Sequence, residues 1–128
     1  MSYKYLLDTN ILIYYFNGNP VVLSIFDEIQ AGSAVGYYCP ITWVELLCYA
    51  GLTDEQRHEI RTFLRKLSCI SLTDSVLDSA AEIRCNYRIG LADALIAACA
   101  LVENCTLVTR NVEDFRRIAH LTILNPFD

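Results

Sequence analysis

Four carboxylates in four separate segments are the residues of this sequence best suited to chemistry. They are Asp8, Glu45, Asp93 and Asp114. Each lies beside or within an apolar stretch, where an ionised carboxylate is unfavourable unless cations, hydrogen bonds or a bound metal compensate its charge. The apolar segments around the first three contain almost no basic residues. Convergence of the four acids on one hard divalent cation would explain them together.

Each acid also has a purely structural explanation. Asp8 could begin a turn, and Glu45 could complete a helix-capping box with Thr42. Asp93 could be a helix N-cap, and Asp114 could complement the dipole at the start of a short helix. Four such acids at strand and helix ends nevertheless favour one shared site over four separate coincidences.

A metal held by carboxylates suits the hydrolysis of a phosphodiester bond. Mg²⁺ held in this way keeps several waters, lowers the pKa of one of them and contacts the scissile phosphate. His58 and His120 lie outside the acidic segments, so no histidine-based hydrolytic pattern is visible. The cysteines form no C-x-x-C pair and no zinc-ligand spacing with a histidine, so we expect buried, reduced thiols. They are Cys39, Cys48, Cys69, Cys85, Cys99 and Cys105.

The charge balance is compatible with a nucleic-acid partner once a metal is included. Neutralising the four acids would bring the formal net charge from −5 to about −1. One arginine stripe on a predicted helix is expected to be a solvated face. It comprises Arg57, Arg61 and Arg65. Three further arginines flank Asp114, and for these we favour contact with phosphate. They are Arg110, Arg116 and Arg117.

The composition predicts one ordered domain over residues 1–128. With 54% hydrophobic residues, the 128-residue chain can bury a substantial core. No stretch reaches the ~20 apolar residues of a membrane span. The first residues lead directly into strand-like sequence without a visible signal peptide, so we expect a cytoplasmic protein with no membrane partner.

Short apolar strands alternate with helical patterns along the chain. Asn10 is the predicted N-cap of the first helix, and capping boxes are predicted for Thr42 with Glu45 and for Thr53 with Gln56. Predicted strands cover residues 3–7, 35–39, 69–72, 105–109 and 121–124. Predicted helices cover residues 11–16, 21–31, 43–50, 54–67, 76–87, 93–102 and 112–118.

This alternation predicts the α/β class, as a three-layer α/β/α sandwich with a mostly parallel central sheet. Ligands of such sheets collect at the carboxyl ends of the strands. Asp8, Asn111 and Asp114 all follow predicted strands. A dinucleotide-binding domain is disfavoured because no glycine-rich turn follows the first strand. A phospho-receiver domain is disfavoured because its acidic pair and late lysine are absent.

The ordered motifs resemble the PIN-domain family, and within it the VapC-type toxin ribonucleases of type II toxin-antitoxin systems. The resemblance spans essentially the whole chain. It is carried by LLDTN at residues 6–10, TWVEL at 42–46, LADALIAA at 91–98, and LVTRN at 107–111 followed by Asp114-Phe115.

This resemblance implies a role for each matched position. Asp8, Glu45 and Asp93 match the principal acids, which bind Mg²⁺ or Mn²⁺ in the family. Asn10 and Thr109 match polar positions that orient them. Members often carry an acid where this chain has Asn111. Either Asp114 supplies the fourth carboxylate, or Asn111 contacts the metal through water.

The resemblance also implies a function and partners. We expect a Mg²⁺-dependent endoribonuclease with an RNA substrate, a VapB-like antitoxin and a homodimeric state. The antitoxin tail would place apolar anchors beside Leu12 and residues 14–16, and a basic group among the carboxylates. A non-toxin PIN nuclease of RNA processing and a catalytically silent PIN module that only binds partners are the alternatives.

Overall fold

The computed structural model describes residues 3–128, and every strand pairing in that range is parallel. The five strands follow the order β3-β2-β1-β4-β5. Strand β1 is therefore central, with β2 on one side and β4 on the other. The strands are β1 (Tyr3–Leu7), β2 (Ala34–Tyr38), β3 (Ser68–Cys69), β4 (Thr106–Val108) and β5 (Ile123–Leu124).

Helices connect the strands, as the alternating pattern predicted. A 3₁₀ turn at Pro20–Val22 leads into the second helix. The α-helices of the described range are α1 (Thr9–Phe16), α2 (Leu23–Ala31), α3 (Pro40–Leu47), α4 (Asp54–Leu64), α5 (Asp74–Asn86), α6 (Leu91–Val102) and α7 (Val112–Phe115).

Both faces of the sheet are covered, which confirms the predicted three-layer α/β/α sandwich. Side chains of successive strand residues point to opposite faces. Leu6 packs with the apolar residues of α5 and α6, whereas Tyr5 and Leu7 pack with those of α1 and α2. The central part of α6 is buried, as its almost wholly apolar sequence predicted, but Leu91 in its first turn is exposed.

Two of the predicted helix N-caps are wrong. Asp8, not Asn10, is the N-cap residue of α1. Helix α3 begins at Pro40, whose fixed φ and missing N–H suit the first turn of a helix. Thr42 therefore lies inside α3, and no capping box forms with Glu45. The box of Thr53 with Gln56 is confirmed, with reciprocal bonds of 3.1 and 2.9 Å.

The expectation of buried thiols is confirmed for only half of the cysteines. Cys39, Cys99 and Cys105 are buried and reduced. The three others lie on the surface, so an apolar neighbourhood in sequence did not predict their burial. They are Cys48, Cys69 and Cys85.

The arginine stripe of α4 is only partly a solvated face. Arg65 is exposed and leans over the Trp43 ring, 5.8 Å from its centroid. Arg57 instead donates hydrogen bonds to the main-chain oxygens of Tyr49 and Leu52. Within residues 3–128, no helix combines the length and the apolar character needed to span a bilayer.

Candidate active site

The site begins where the two central strands end. The parallel register pairs Leu7 of β1 with Val108 of β4, so the residues that follow them, Asp8 and Thr109, are neighbours. The Asp8 N–H donates to the Val108 carbonyl oxygen at 3.0 Å. The Thr109 hydroxyl donates to Oδ2 of Asp8 at 2.7 Å. Both residues are buried, so this bond fixes the orientation of the Asp8 carboxylate.

Glu45 reaches the same place from α3. Thr9, the first residue of α1, donates its hydroxyl proton to Oε1 of Glu45 at 2.7 Å. The hydroxyl oxygens of Thr9 and Thr42 are 2.9 Å apart. A hydroxyl has one proton to donate, so Thr42 is the donor in this second bond. Thr9, the residue directly after Asp8, therefore binds Glu45, and Thr42 in turn binds Thr9.

Asp93 lies in the first turn of α6, which begins after Gly90 at the N-cap. Burial, with smaller contributions from the charges of Asp8, Asp114 and Glu45, raises the pKa of the Asp93 carboxyl to about 6. The other three acids therefore lie close enough to Asp93 to act on its charge, although the four come from different elements. Asp93 is not itself an N-cap, so that structural explanation is wrong.

Asp8 shows the same electrostatic pattern. Burial raises the pKa of its carboxyl, and the nearby charge of Glu45 adds to this effect. The hydrogen bonds from the Thr109 hydroxyl and the Thr9 N–H act in the opposite direction but do not outweigh burial. Raised pKa values are expected for acids that are gathered without a compensating cation.

Asn111 and Asp114 form a small hydrogen-bonded unit at the edge of the site. The Asn111 Nδ2 group donates to Oδ2 of Asp114 at 2.7 Å. The Asn111 N–H donates to the Thr109 hydroxyl oxygen at 3.0 Å, which connects the unit to Asp8. Asp114 itself is exposed on α7. Asn10 is exposed in the first turn of α1, and its side chain makes no hydrogen bond within the described residues.

The three arginines near Asp114 have different surroundings. Arg110 donates to the Tyr14 hydroxyl oxygen at 3.0 Å and lies over the Phe127 ring. Arg116 pairs with Glu113 at 3.0 Å, and both side chains are mostly exposed. Arg117 is exposed. Contact of these arginines with RNA stays a prediction.

The donor set fits a hard divalent cation without being closed around one. Within residues 3–128, no three acid, histidine or cysteine side chains are placed to hold a metal ion together. Mg²⁺ commonly keeps several waters and uses only one or two carboxylates directly. Asp8, Glu45 and Asp93 offer oxygen ligands of the kind that select Mg²⁺ or Mn²⁺ over softer metals.

Thr9 and Thr42 were missed as site residues from the sequence. The motifs of residues 6–10 and 42–46 contain both threonines, but nothing local indicated that their hydroxyls meet. Phe127 was missed as well, since it belongs to no motif. All three residues reach the site through contacts between elements that are distant in the sequence, and a single sequence does not show which elements pack together.

Comparison with known proteins agrees with this geometry. The family model described as PIN domain matches residues 5–121. The chain belongs to the PIN-domain family. Within it the relatives are VapC-type proteins, as the sequence motifs predicted. This PIN domain is 30% identical over 129 residues to a Rickettsia felis protein named Ribonuclease VapC2, with 94% of this chain and 96% of the relative covered.

Solved structures with the same fold come from toxin-antitoxin systems. VapBC2 from Rickettsia felis, crystallised with a DNA fragment from its promoter, matches with a TM-score of 0.82 and 29% identity. That match covers 95% of this PIN domain and 98% of the solved chain. A toxin-antitoxin complex from Klebsiella pneumoniae matches with a TM-score of 0.80 and 28% identity, covering 96% and 98% of the two chains.

Proposed function

We propose that this PIN domain is a divalent-metal-dependent endoribonuclease that hydrolyses RNA phosphodiester bonds, and that it is the toxin of a VapBC-type pair acting in the cytoplasm. The convergence of four acids from four elements carries this proposal. The likeness to a relative named as a ribonuclease supports the choice of RNA as substrate. Without a hydroxyl or thiol nucleophile assigned to the site, hydrolysis would rely on water.

Asp8 and Asp93 would hold the metal ion, Mg²⁺ or Mn²⁺, directly or through its waters, with Glu45 nearby. Bound there, the ion would supply an activated water and would neutralise charge on the phosphoryl oxygens. Thr109 keeps Oδ2 of Asp8 in one orientation, and Thr9 does the same for Oε1 of Glu45. Such preorganisation matters because a small displacement of a positioned group lowers catalysis strongly.

Asp114 is our choice for the fourth carboxylate. The Asn111 amide holds it at 2.7 Å, an arrangement that a carboxylate at position 111 would replace with like-charge repulsion. In this assignment Asn111 orients the Asp114 carboxylate and does not contact the metal through a bridging water. This assignment accounts for the departure of position 111 from the usual acid of the family.

A VapB-like antitoxin is the proposed partner, since solved relatives are toxin-antitoxin complexes. A cavity of about 410 Å³ lies between α1, α2 and α4, with Tyr15, Phe26 and Phe63 in its wall. We propose that it takes an apolar anchor of the antitoxin tail. Leu12 is fully buried and is not available for this role, whereas Phe16 is 37% exposed.

The tail would also bring a basic group, which we propose to be arginine, to the four acids. A guanidinium matches carboxylates with paired hydrogen bonds and would compete with the metal for the same charge. Homodimer formation is part of the same proposal. Val44, Tyr49 and Leu91 are apolar, more than half exposed and lie on or next to α3 and α6, which pack together. Exposed apolar residues of this kind often mark an interface.

The proposal is tested by RNA cleavage with and without divalent cations. Wild type should cut single-stranded RNA in Mg²⁺ or Mn²⁺ but not in EDTA, and Asp8→Asn should abolish cleavage. Asp74→Asn is the control, because Asp74 is a first-turn acid of α5 outside the site. Cleavage by Asp8→Asn at the wild-type rate would remove Asp8 from the site.

The same experiments separate the alternatives. A silent module would bind a partner but show no metal-dependent cleavage. A non-toxin nuclease would cleave RNA without inhibition by a small protein encoded next to it. A neighbouring frame with a DNA-binding amino-terminal part and a tail that inhibits cleavage would support the toxin assignment.

A further inference from the structure

Arg110 is held in one place by two aromatic side chains. Its Nη1 donates to the Tyr14 hydroxyl oxygen at 3.0 Å. Its guanidinium carbon lies 4.2 Å from the Phe127 ring centroid and 5.6 Å from that of Tyr14. The two ring centroids are themselves 4.9 Å apart. We call Tyr14 and Phe127 the aromatic clip of Arg110.

The clip joins α1 to the turn that follows β5. In that turn the Phe127 N–H donates to Oδ1 of Asn125 at 3.0 Å. One residue earlier, the Leu124 carbonyl oxygen accepts a hydrogen bond from the Thr109 N–H at 3.0 Å. The C-terminal turn is thus anchored beside Thr109, the residue that orients Asp8, and it places a ring against the next residue, Arg110.

The positive charge of Arg110 stays uncompensated by this arrangement. A guanidinium has five N–H donors, and the bond to Tyr14 uses one of them. Both rings of the clip are neutral, so the cation–π contacts leave the formal charge intact. The ion pairs found within residues 3–128 include Arg116 with Glu113 but none to Arg110. A fixed guanidinium with free donors is well matched to a phosphate group.

The aromatic clip holds the positive charge of Arg110 beside the four carboxylates. Arg110 directly follows Thr109, whose hydroxyl binds Asp8. Tyr14 lies six residues after Asp8 on α1, which corresponds to ~9 Å along a helix axis. The cation therefore lies at the rim of the acidic site. An RNA backbone that approaches four acids is repelled by them, and a fixed cation at the rim offsets this repulsion.

Resting on the proposed ribonuclease function, we propose that Arg110 binds an RNA backbone phosphate next to the scissile one, and that Tyr14 and Phe127 are its positioning residues. Because phosphates are the same at every nucleotide, this contact contributes affinity and register but no sequence preference. A guanidinium that is already fixed loses little rotamer freedom when it binds.

The test measures binding of two fluorescein-labelled single-stranded RNAs of different sequence, in EDTA so that no metal-dependent cleavage occurs. Arg110→Gln should weaken binding of both RNAs about five-fold and lower the slope of log affinity against log salt by about 0.7, the value for one phosphate contact on a single strand. Arg65→Gln is the control. It makes the same charge change at an arginine that also leans over a ring, but α4 carries none of the four acids.

The positioning role is tested with Tyr14→Phe, which removes only the hydroxyl, and with Phe127→Leu, which removes the ring. Each should weaken RNA binding two- to three-fold and leave the salt slope unchanged, since the charge is retained. Each should have no further effect in the Arg110→Gln background, because the clip acts only through Arg110. Melting temperatures of all variants separate these effects from loss of folding.

Two results would overturn the inference. The first is that Arg110→Gln binds both RNAs as tightly as Arg65→Gln does. This holds also if Arg110→Gln weakens binding of a protein partner but not of RNA. The other is full additivity of Phe127→Leu with Arg110→Gln, which removes the positioning role. RNA binding is measured in EDTA and RNA cleavage is measured with divalent cations, so a failure of the proposed ribonuclease activity can be told apart from a failure of this inference.

Discussion

Replacing Asp93 with asparagine should stabilise the metal-free protein while it abolishes RNA cleavage. Burial and three neighbouring acids raise the pKa of the Asp93 carboxyl to about 6 from its ordinary 3.8. This difference corresponds to an upper bound of about 3 kcal/mol in the free energy of unfolding. Asp93 is only half-buried, so solvent screening reduces the expected effect to about 1–2 kcal/mol.

The sign of the effect sets its pH dependence. The folded protein binds this proton more tightly than the unfolded chain, so the stability associated with it is fully present below about pH 4. It is lost as the pH rises through about 6. Asparagine resembles the protonated acid at every pH. Asp93→Asn and wild type should therefore differ little at pH 4 and most above pH 7, where the variant is the more stable.

Urea denaturation in EDTA at both pH values measures this difference directly, and Asp74→Asn controls for loss of a first-turn acid. Added Mg²⁺ should stabilise wild type more than Asp93→Asn. A ligand raises the free energy of unfolding only of a folded protein that binds it, and the variant has lost one of the metal-binding carboxylates. An Asp93→Asn variant that is no more stable than wild type in EDTA at high pH would refute the electrostatic reasoning. Cleavage of RNA by this variant at the wild-type rate would refute the assignment of the site.

Further predictions concern the supporting residues and the partners. Thr109→Val keeps the volume but removes the hydroxyl that binds Asp8, so we expect a loss of about 1–2 kcal/mol in unfolding free energy and at least ten-fold slower cleavage; unchanged kinetics would contradict this. Asp114→Ala should lower activity less than Asp8→Asn, and Asn111→Asp should strengthen Mn²⁺ binding, which calorimetry can measure; unchanged affinity in Asn111→Asp would place position 111 outside the site. Inhibition by the antitoxin should weaken at high Mg²⁺, since an arginine and the metal compete for the acids, and inhibition indifferent to Mg²⁺ counts against that mechanism. Light scattering should give twice the 14.5 kDa chain mass, and Tyr49→Glu should give the monomer; a monomeric wild type would reject the dimer.

Local patterns in the sequence determined the class of fold and the identity of the candidate acids. Strand and helix periodicities extend over a few residues, so alternating apolar strands and helices were visible directly. The capping box of Thr53 with Gln56 spans three residues and was predicted correctly. The acids stood out for the same local reason, because their apolar neighbours provide no charge to compensate them.

The tertiary structure decided how these residues are held. Asp8 and Thr109 are 101 positions apart, and Arg110 and Tyr14 are 96 apart. Such pairs exist because β1 lies between β2 and β4, an order that no local window of sequence specifies. Thr42 illustrates the difference: its spacing to Glu45 predicted a capping box, but Pro40 begins the helix and Thr42 bonds Thr9 across the fold. Local propensities determine which elements form, whereas hydrogen bonds between side chains depend on which elements the sheet brings together.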